Sequence, residues 1–259
     1  MDEDFVSVTE IAHEKVSREQ IARLCNRYYW AGLYCSNKDV VEAACGSGQG
    51  LGYLAGIART LEAGDFSEAV LAVAQRHYGG RIALRQFDAE DMPFASQSKD
   101  VIILFEAIYY LPDAERFVTE CSRVLRSGGK VLIATANKDL YDFNPSPHSY
   151  TYYGVMELSE LFSKYGFEVE CFGDTPIEKV SVRQRILRPV KKLAVMLKIM
   201  PKTTGGKKWL KRIVFGRLVQ MPAEITGATA QYVEPAPISS SLPDTRHKVI
   251  YCAASLGKK

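Results

Sequence analysis

The stretch "VVEAACGSGQGLGYLA", residues 40–55, decides the fold. A short apolar run reaches an acid, Glu42, and gives way to a loop with glycines at 46, 48, 50 and 52. Glycine lets a backbone turn sharply and pass close to a ligand, because it has no Cβ. A nucleoside triphosphate loop needs Lys and Ser/Thr after its last glycine. Here Gly50 is followed by Leu51 and Gly52, which excludes that reading. A dinucleotide fingerprint needs G-x-G-x-x-G, and its third glycine would fall on Leu51. The spacing is instead E-x-x-x-G-x-G-x-G, from Glu42 through Gly46, Gly48 and Gly50.

Upstream, Ser17 and Gln20 form a capping-box pattern that starts a helix running through residue 34. "DVVEAAC" (39–45) reads as a buried strand and 50–59 as a helix. A second strand follows at 60–66, then a helix over 67–79 closing at Gly79. Residues 81–94 give a third strand and a loop, and the all-apolar run 101–105 a fourth strand. Residues 113–129 read as a helix ending at Gly128 and Gly129, and 130–137 as a fifth strand. A helix at 155–166, a strand at 167–173 and a last strand at 247–255 complete the pattern. Helices alternating with continuous apolar strands predict a doubly wound α/β fold, with a mostly parallel seven-stranded sheet covered on both faces. Ligands on such sheets bind beyond the carboxyl ends of the strands.

Composition bounds the class. The chain has 259 residues, 47% hydrophobic and 24% charged, as expected of a soluble globular protein. No apolar run approaches the roughly 18 residues of a membrane span. The acidic start "MDEDFVSVTE" lacks the order of a secretion signal, so a cytoplasmic location is expected. Six scattered cysteines and four scattered histidines offer no metal-ligand spacing, and no metal is expected.

Four features in register resemble class I S-adenosylmethionine-dependent methyltransferases: the glycine loop, "EAGDF" at 62–66, "DAEDMPF" at 88–94, and "DVIILFEAIYYLPD" followed by "ECSRVLRSGGKVLIAT". The resemblance covers residues 37 to 174 and the last strand. It implies S-adenosyl-L-methionine as cofactor. A sulfonium ligand without phosphate suits a closely passing glycine backbone, and an acid such as Glu42 suits its amino group. Asp65 would bridge the ribose hydroxyls and Phe66 would pack on the adenine. Asp88 would accept from the adenine amino group and the amide of Ala89 would meet the ring. Phe105 and Glu106 would flank the methionine part. Tyr28, Ala44, Gly46, Gly48 and Gly50 complete the expected cofactor set.

For the acceptor the pattern is thinner. Strand four ends in "FEAIYY" instead of the N/D-P-P-Y of enzymes that methylate nucleobases or glutamine. Tyr109, Tyr110 and His148 are the candidates for acceptor chemistry, and His148 is the candidate base with a near-neutral pKa. The order of residues 144–169 resembles bacterial enzymes thought to methylate sugars, which points to O-methylation of a sugar or glycan precursor in polysaccharide biosynthesis, or of another small molecule. A lipid or RNA acceptor is the alternative, as is a non-catalytic protein on the same fold.

The core is expected over 1–174 and 246–259, with an insertion over 175–245. Residues 179–217 hold 13 of the 33 Lys and Arg and no Asp or Glu, leaving 20 basic against 30 acidic residues elsewhere. Two amphipathic helical patterns around "PKTTGG" read as a basic hairpin. Such a face suits an anionic acceptor or peripheral contact with an anionic membrane. Nucleic acid is disfavoured, because the segment lacks interleaved aromatics.

Overall fold

The computed structural model describes residues 10–177 and 218–257. The expected basic hairpin lies outside the described residues.

A short strand β1 (Lys15–Val16) leads into α1 (Arg18–Cys35), whose start carries the capping box foreseen from Ser17 and Gln20. Then follow β2 (Asp39–Ala43), α2 (Leu51–Ala55), β3 (Thr60–Asp65), α3 (Glu68–Tyr78), β4 (Ala83–Gln86) and β5 (Lys99–Phe105). A 3₁₀ turn at Ile108–Tyr110 precedes α4 (Ala114–Val124), β6 (Leu125–Ala136), α5 (Val155–Ser163) and β7 (Phe167–Pro176). Past the undescribed segment come β8 (Val219–Gln220), β9 (Ala236–Ile238) and β10 (His247–Leu256).

The main sheet has eight strands in the order β4-β3-β2-β5-β6-β10-β7-β9. β4, β3, β2, β5 and β6 are parallel, while β10, β7 and β9 pair antiparallel. Seven strands were expected. The eighth, β9, is a three-residue edge strand whose "API" carries no period-2 signal to announce it. Strand order reverses between β2 and β5, and the crevice beyond their carboxyl ends is where such sheets take ligands.

Alternate side chains serve opposite faces. Val41, Ile102, Leu104, Val131 and Ile133 pack with Phe117, Val118 and Phe162 from α4 and α5. Val40, Val101, Ile103, Phe105 and Leu132 pack with Leu24, Tyr28 and Trp30 from α1. All six cysteines are buried thiols.

One boundary differs. The helix expected to run to Gly129 stops at Val124, and Gly128 and Gly129 lie inside β6. Leu125 leaves the helical region (ψ 142°) to pair with Lys99. Arg126 Nη1 then reaches Asp100 and Asp39, at 2.8 and 3.0 Å. Tertiary pairing overrides the local glycine stop signal at this point.

Residues 218–245 lie against the core. Met221 and Ile225 are buried under α1, and the Ile225 amide donates to the Gln49 carbonyl at 2.8 Å. Glu224 meets His77 and Arg81, each at 2.8 Å. Among the described residues no helix is long and apolar enough to cross a membrane.

Candidate functional site

A cavity of about 660 Å³ opens at the strand-order reversal. Glu42 and Ala44 line it from the end of β2, Asp65 and Phe66 from β3, Asp88 and Ala89 from the loop after β4, and Phe105 and Glu106 from β5. Ala44 and Glu106 are non-glycine residues with φ of 56° and 53°. Left-handed backbone at such residues gathers at functional sites.

Glu42 is 1% exposed. Its Oε1 accepts from the Tyr28 hydroxyl at 2.6 Å, while Oε2 is buried without a partner among the described residues. Burial pushes its pKa up to about 8, against the Tyr28 hydrogen bond and the charge of Arg27, which pull it down. Arg27 Nε is likewise buried and unpartnered. Its guanidinium stands 3.6 Å from Glu10 and 3.7 Å from Glu106. An orphaned carboxylate oxygen and an orphaned guanidinium nitrogen in one cavity fit an amino-acid zwitterion, ammonium to Glu42 and carboxylate to Arg27.

Asp65 accepts from the Gly46 amide through Oδ2 and the Ser67 amide through Oδ1, both at 2.9 Å. Burial nonetheless raises its pKa, with those amides opposing. Gly46 and Gly48 take φ of 59° and 84°, which explains glycine at both. Asp88 Oδ1 accepts from the Glu90 amide at 2.8 Å. Phe66 is 56% exposed and forms part of the cavity rim.

Gly48 and Gly50 do not line the cavity. A Cβ on Gly48 would come within 3.0 Å of Ala74 and Tyr78, and one on Gly50 would run into the Tyr28 ring. Both glycines shape the loop from behind.

Tyr109 and Tyr110 line the cavity, and Tyr150 joins them. Tyr109 donates to Glu106 Oε2 at 3.1 Å and stacks on Tyr152, ring centroids 4.3 Å apart. Burial raises the Glu106 pKa, opposed by Arg27 and Arg23. His148 is a correction. It is exposed, sits at a left-handed turn (φ 63°) and is absent from the cavity wall. Its loop instead puts the exposed Tyr150 on the cavity rim, with the Tyr150 amide donating to the Tyr109 carbonyl at 2.8 Å.

Sequence reasoning missed Gln20, Arg23 and Arg27 of α1, and Lys248 and Tyr251 of β10. The three α1 residues repeat at i, i+3 and i+7, a helical stripe visible in the sequence. Polar stripes of this kind usually face solvent, so nothing marked this one as a cavity wall.

Residues 41–133 match a family model described as a methyltransferase domain. A probable S-adenosylmethionine-dependent methyltransferase of Mycolicibacterium smegmatis is 36% identical over 140 residues, covering 52% of this chain and 54% of that protein. A ubiquinone biosynthesis O-methyltransferase of Pseudomonas savastanoi is 29% identical over 133 residues, covering 50% of this chain and 55% of its own. The chain spans about half the length of the curated relatives it matches. Among solved structures, the YcgJ protein of Bacillus subtilis superposes with a TM-score of 0.59 at 15% identity, covering 90% of this chain and 99% of that one. The [4+2]-cyclase SpnF also reaches 0.59, at 14% identity, covering 97% and 89%. Motif order, sheet order and the family match agree: residues 41–133 carry a methyltransferase domain of the class I S-adenosylmethionine-dependent kind.

Proposed function

We propose that the protein transfers the methyl group of S-adenosylmethionine to a hydroxyl of a small-molecule acceptor. The observation that carries this reading is Glu106. It is a half-buried carboxylate whose pKa desolvation raises, set between the α1 arginines and the tyrosines after β5. The cofactor supplies an electrophilic methyl on a positively charged sulfur. Glu42 and Arg27 hold the amino-acid part of that cofactor, and Asp65 its ribose. Glu106 accepts the proton that the hydroxyl loses, a role that sequence reasoning assigned to His148. Tyr109 fixes the Glu106 carboxylate through its hydrogen bond. In-line methyl transfer depends heavily on alignment, and this cavity wall is built from sheet ends and one long helix.

Sugar or glycan precursors are the first acceptors to test, since tyrosine faces stack on the apolar face of a sugar ring. A phenol or lipid hydroxyl is the second reading, favoured by relatives whose names describe ubiquinone biosynthesis O-methylation and phthiotriol dimycocerosate methylation. The basic segment at 179–217 would bring the enzyme to an anionic surface or acceptor.

The test is transfer of radiolabelled methyl from the cofactor to a panel of sugars, sugar nucleotides, phenols and lipid extracts. Label appearing as a base-stable ether supports the reading. Label found only on nitrogen or carbon, or no transfer despite micromolar cofactor binding, rejects it.

A further inference from the structure

We infer that the acceptor carries an oxyanion, a carboxylate or phosphate, besides the hydroxyl that is methylated, and that Arg23 is the residue that selects it. The inference rests on the methyl-transfer reading above and deepens it.

Among the described residues, three cations line the cavity: Arg23, Arg27 and Lys248. Lys248 holds Glu19 at 2.7 Å. Arg27 faces Glu10 and Glu106, and its charge reaches Glu42. It therefore belongs to the amino-acid end of the cofactor. Arg23 lies one helical turn before Arg27 on the same stripe. Its Nε is buried with no hydrogen-bond partner among the described residues, and Glu106 is the acid whose proton affinity it lowers. Glu10 lies within ion-pair distance of Arg27 instead.

A buried Nε–H without an acceptor is costly, and a ligand oxygen that meets it removes that cost. The cofactor offers one carboxylate, and Arg27 beside Glu42 takes it. A second oxyanion must therefore come from the other ligand of this cavity. The planar fork of arginine favours two parallel hydrogen bonds to a carboxylate or phosphate. Because Arg23 and Glu106 line the same cavity, an oxyanion held by Arg23 belongs to the ligand whose hydroxyl gives its proton to Glu106. The body of the acceptor rests on Tyr109, Tyr110 and Tyr150.

The experiment uses the full chain loaded with S-adenosylhomocysteine, titrated by calorimetry with benzoate, phenyl phosphate and benzamide. These share a flat ring and differ in the oxyanion. We expect benzoate or phenyl phosphate to bind at least tenfold tighter than benzamide, and whichever of the two wins identifies the oxyanion. Arg23→Gln should remove that preference and leave the affinity for S-adenosylhomocysteine unchanged. Arg23→Lys should keep part of the preference, while Arg27→Gln should weaken the nucleoside ligand. Equal binding of the anions and benzamide by wild type overturns the inference, as does a preference that survives in Arg23→Gln. A tenfold loss of S-adenosylhomocysteine affinity in Arg23→Gln also overturns it, because Arg23 would then hold the cofactor. Failure of wild type to bind S-adenosylhomocysteine at all would instead strike the methyl-transfer reading.

Discussion

The Tyr28 hydroxyl donates to Glu42 Oε1 at 2.6 Å, linking the helix before the glycine loop to the acid that ends β2. Both side chains are buried, 4% and 1% exposed. Tyr28→Phe removes the donor and leaves a buried carboxylate with one partner fewer, at a cost of about 1–3 kcal/mol. Cofactor affinity should fall about tenfold, as read by calorimetry. An unchanged dissociation constant would separate Tyr28 from the cofactor site.

Glu42 gives the free protein a definite pH signature. Its folded pKa lies near 8, above its ordinary value, because burial disfavours the charge. The folded state therefore binds more protons than the unfolded chain between about pH 4.5 and 8. Its contribution to stability is complete below that window and is lost as pH rises through it. Ligand binding has the opposite sign, since the cofactor's ammonium requires the ionised carboxylate. Affinity should tighten by at most about tenfold per pH unit up to pH 8 and then level off. Glu42→Gln should flatten both profiles, measured by thermal melts and calorimetry across pH 5–9. Identical slopes in the variant would assign the titration to another group, such as Asp65 or Glu106, whose pKa values are also raised.

Gly50 tests packing independently of ligand contact. A Cβ there meets the Tyr28 ring, so Gly50→Ala must push that ring away. Overpacking of this kind costs about 1–3 kcal/mol. The melting temperature should drop, and cofactor affinity should fall together with it because Tyr28 leaves Glu42. A variant that melts like wild type would mean that the ring can move without penalty.

For the proton acceptor, two substitutions point in opposite directions. Glu106→Gln should lower turnover by about 10²–10⁴-fold, the usual contribution of a general base. His148→Ala should change it by no more than about twofold, as for a surface position. Once an acceptor is in hand, steady-state kinetics at saturating cofactor decides between them. A large loss in His148→Ala would restore the histidine to the chemistry.

Asp65→Ala removes both anchor bonds, to the Gly46 and Ser67 amides, together with the expected ribose contact. Affinity for S-adenosylhomocysteine should fall by about tenfold or more, for a loss of about 1–3 kcal/mol. Adenine alone should bind the variant as it binds wild type. If the nucleoside ligand binds unchanged, the acid at the end of β3 is not a ribose ligand.

The parallel half of the sheet was legible because each strand there is a continuous apolar run between clear helix signals. The capping box at Ser17 and the glycine stop at Gly79 told true for the same reason: both are local, with caps that accept or donate within three or four residues. The stop at Gly129 misled, since what ends α4 is a long-range pairing of Leu125 with Lys99 that no local pattern encodes. The acids at the strand ends line the cavity, because sheet register fixes them. Arg23 and Arg27 escaped notice, because a helix stripe does not declare what it faces. His148 was chosen for its chemistry alone. The backbone turn at 148 leaves it exposed and places Tyr150 on the wall.

The two amides on Asp65 have a thermodynamic corollary. With one oxygen tied to the glycine loop and the other to the start of α3, the carboxylate surrenders its rotamer freedom when the chain folds. Association then bears none of that ordering entropy, which for a loose side chain runs to about 0.5–1.5 kcal/mol. The receptor half of this contact is rigid before the encounter. The entropy of nucleoside binding will therefore reflect mainly the torsions of the ligand and the water it releases.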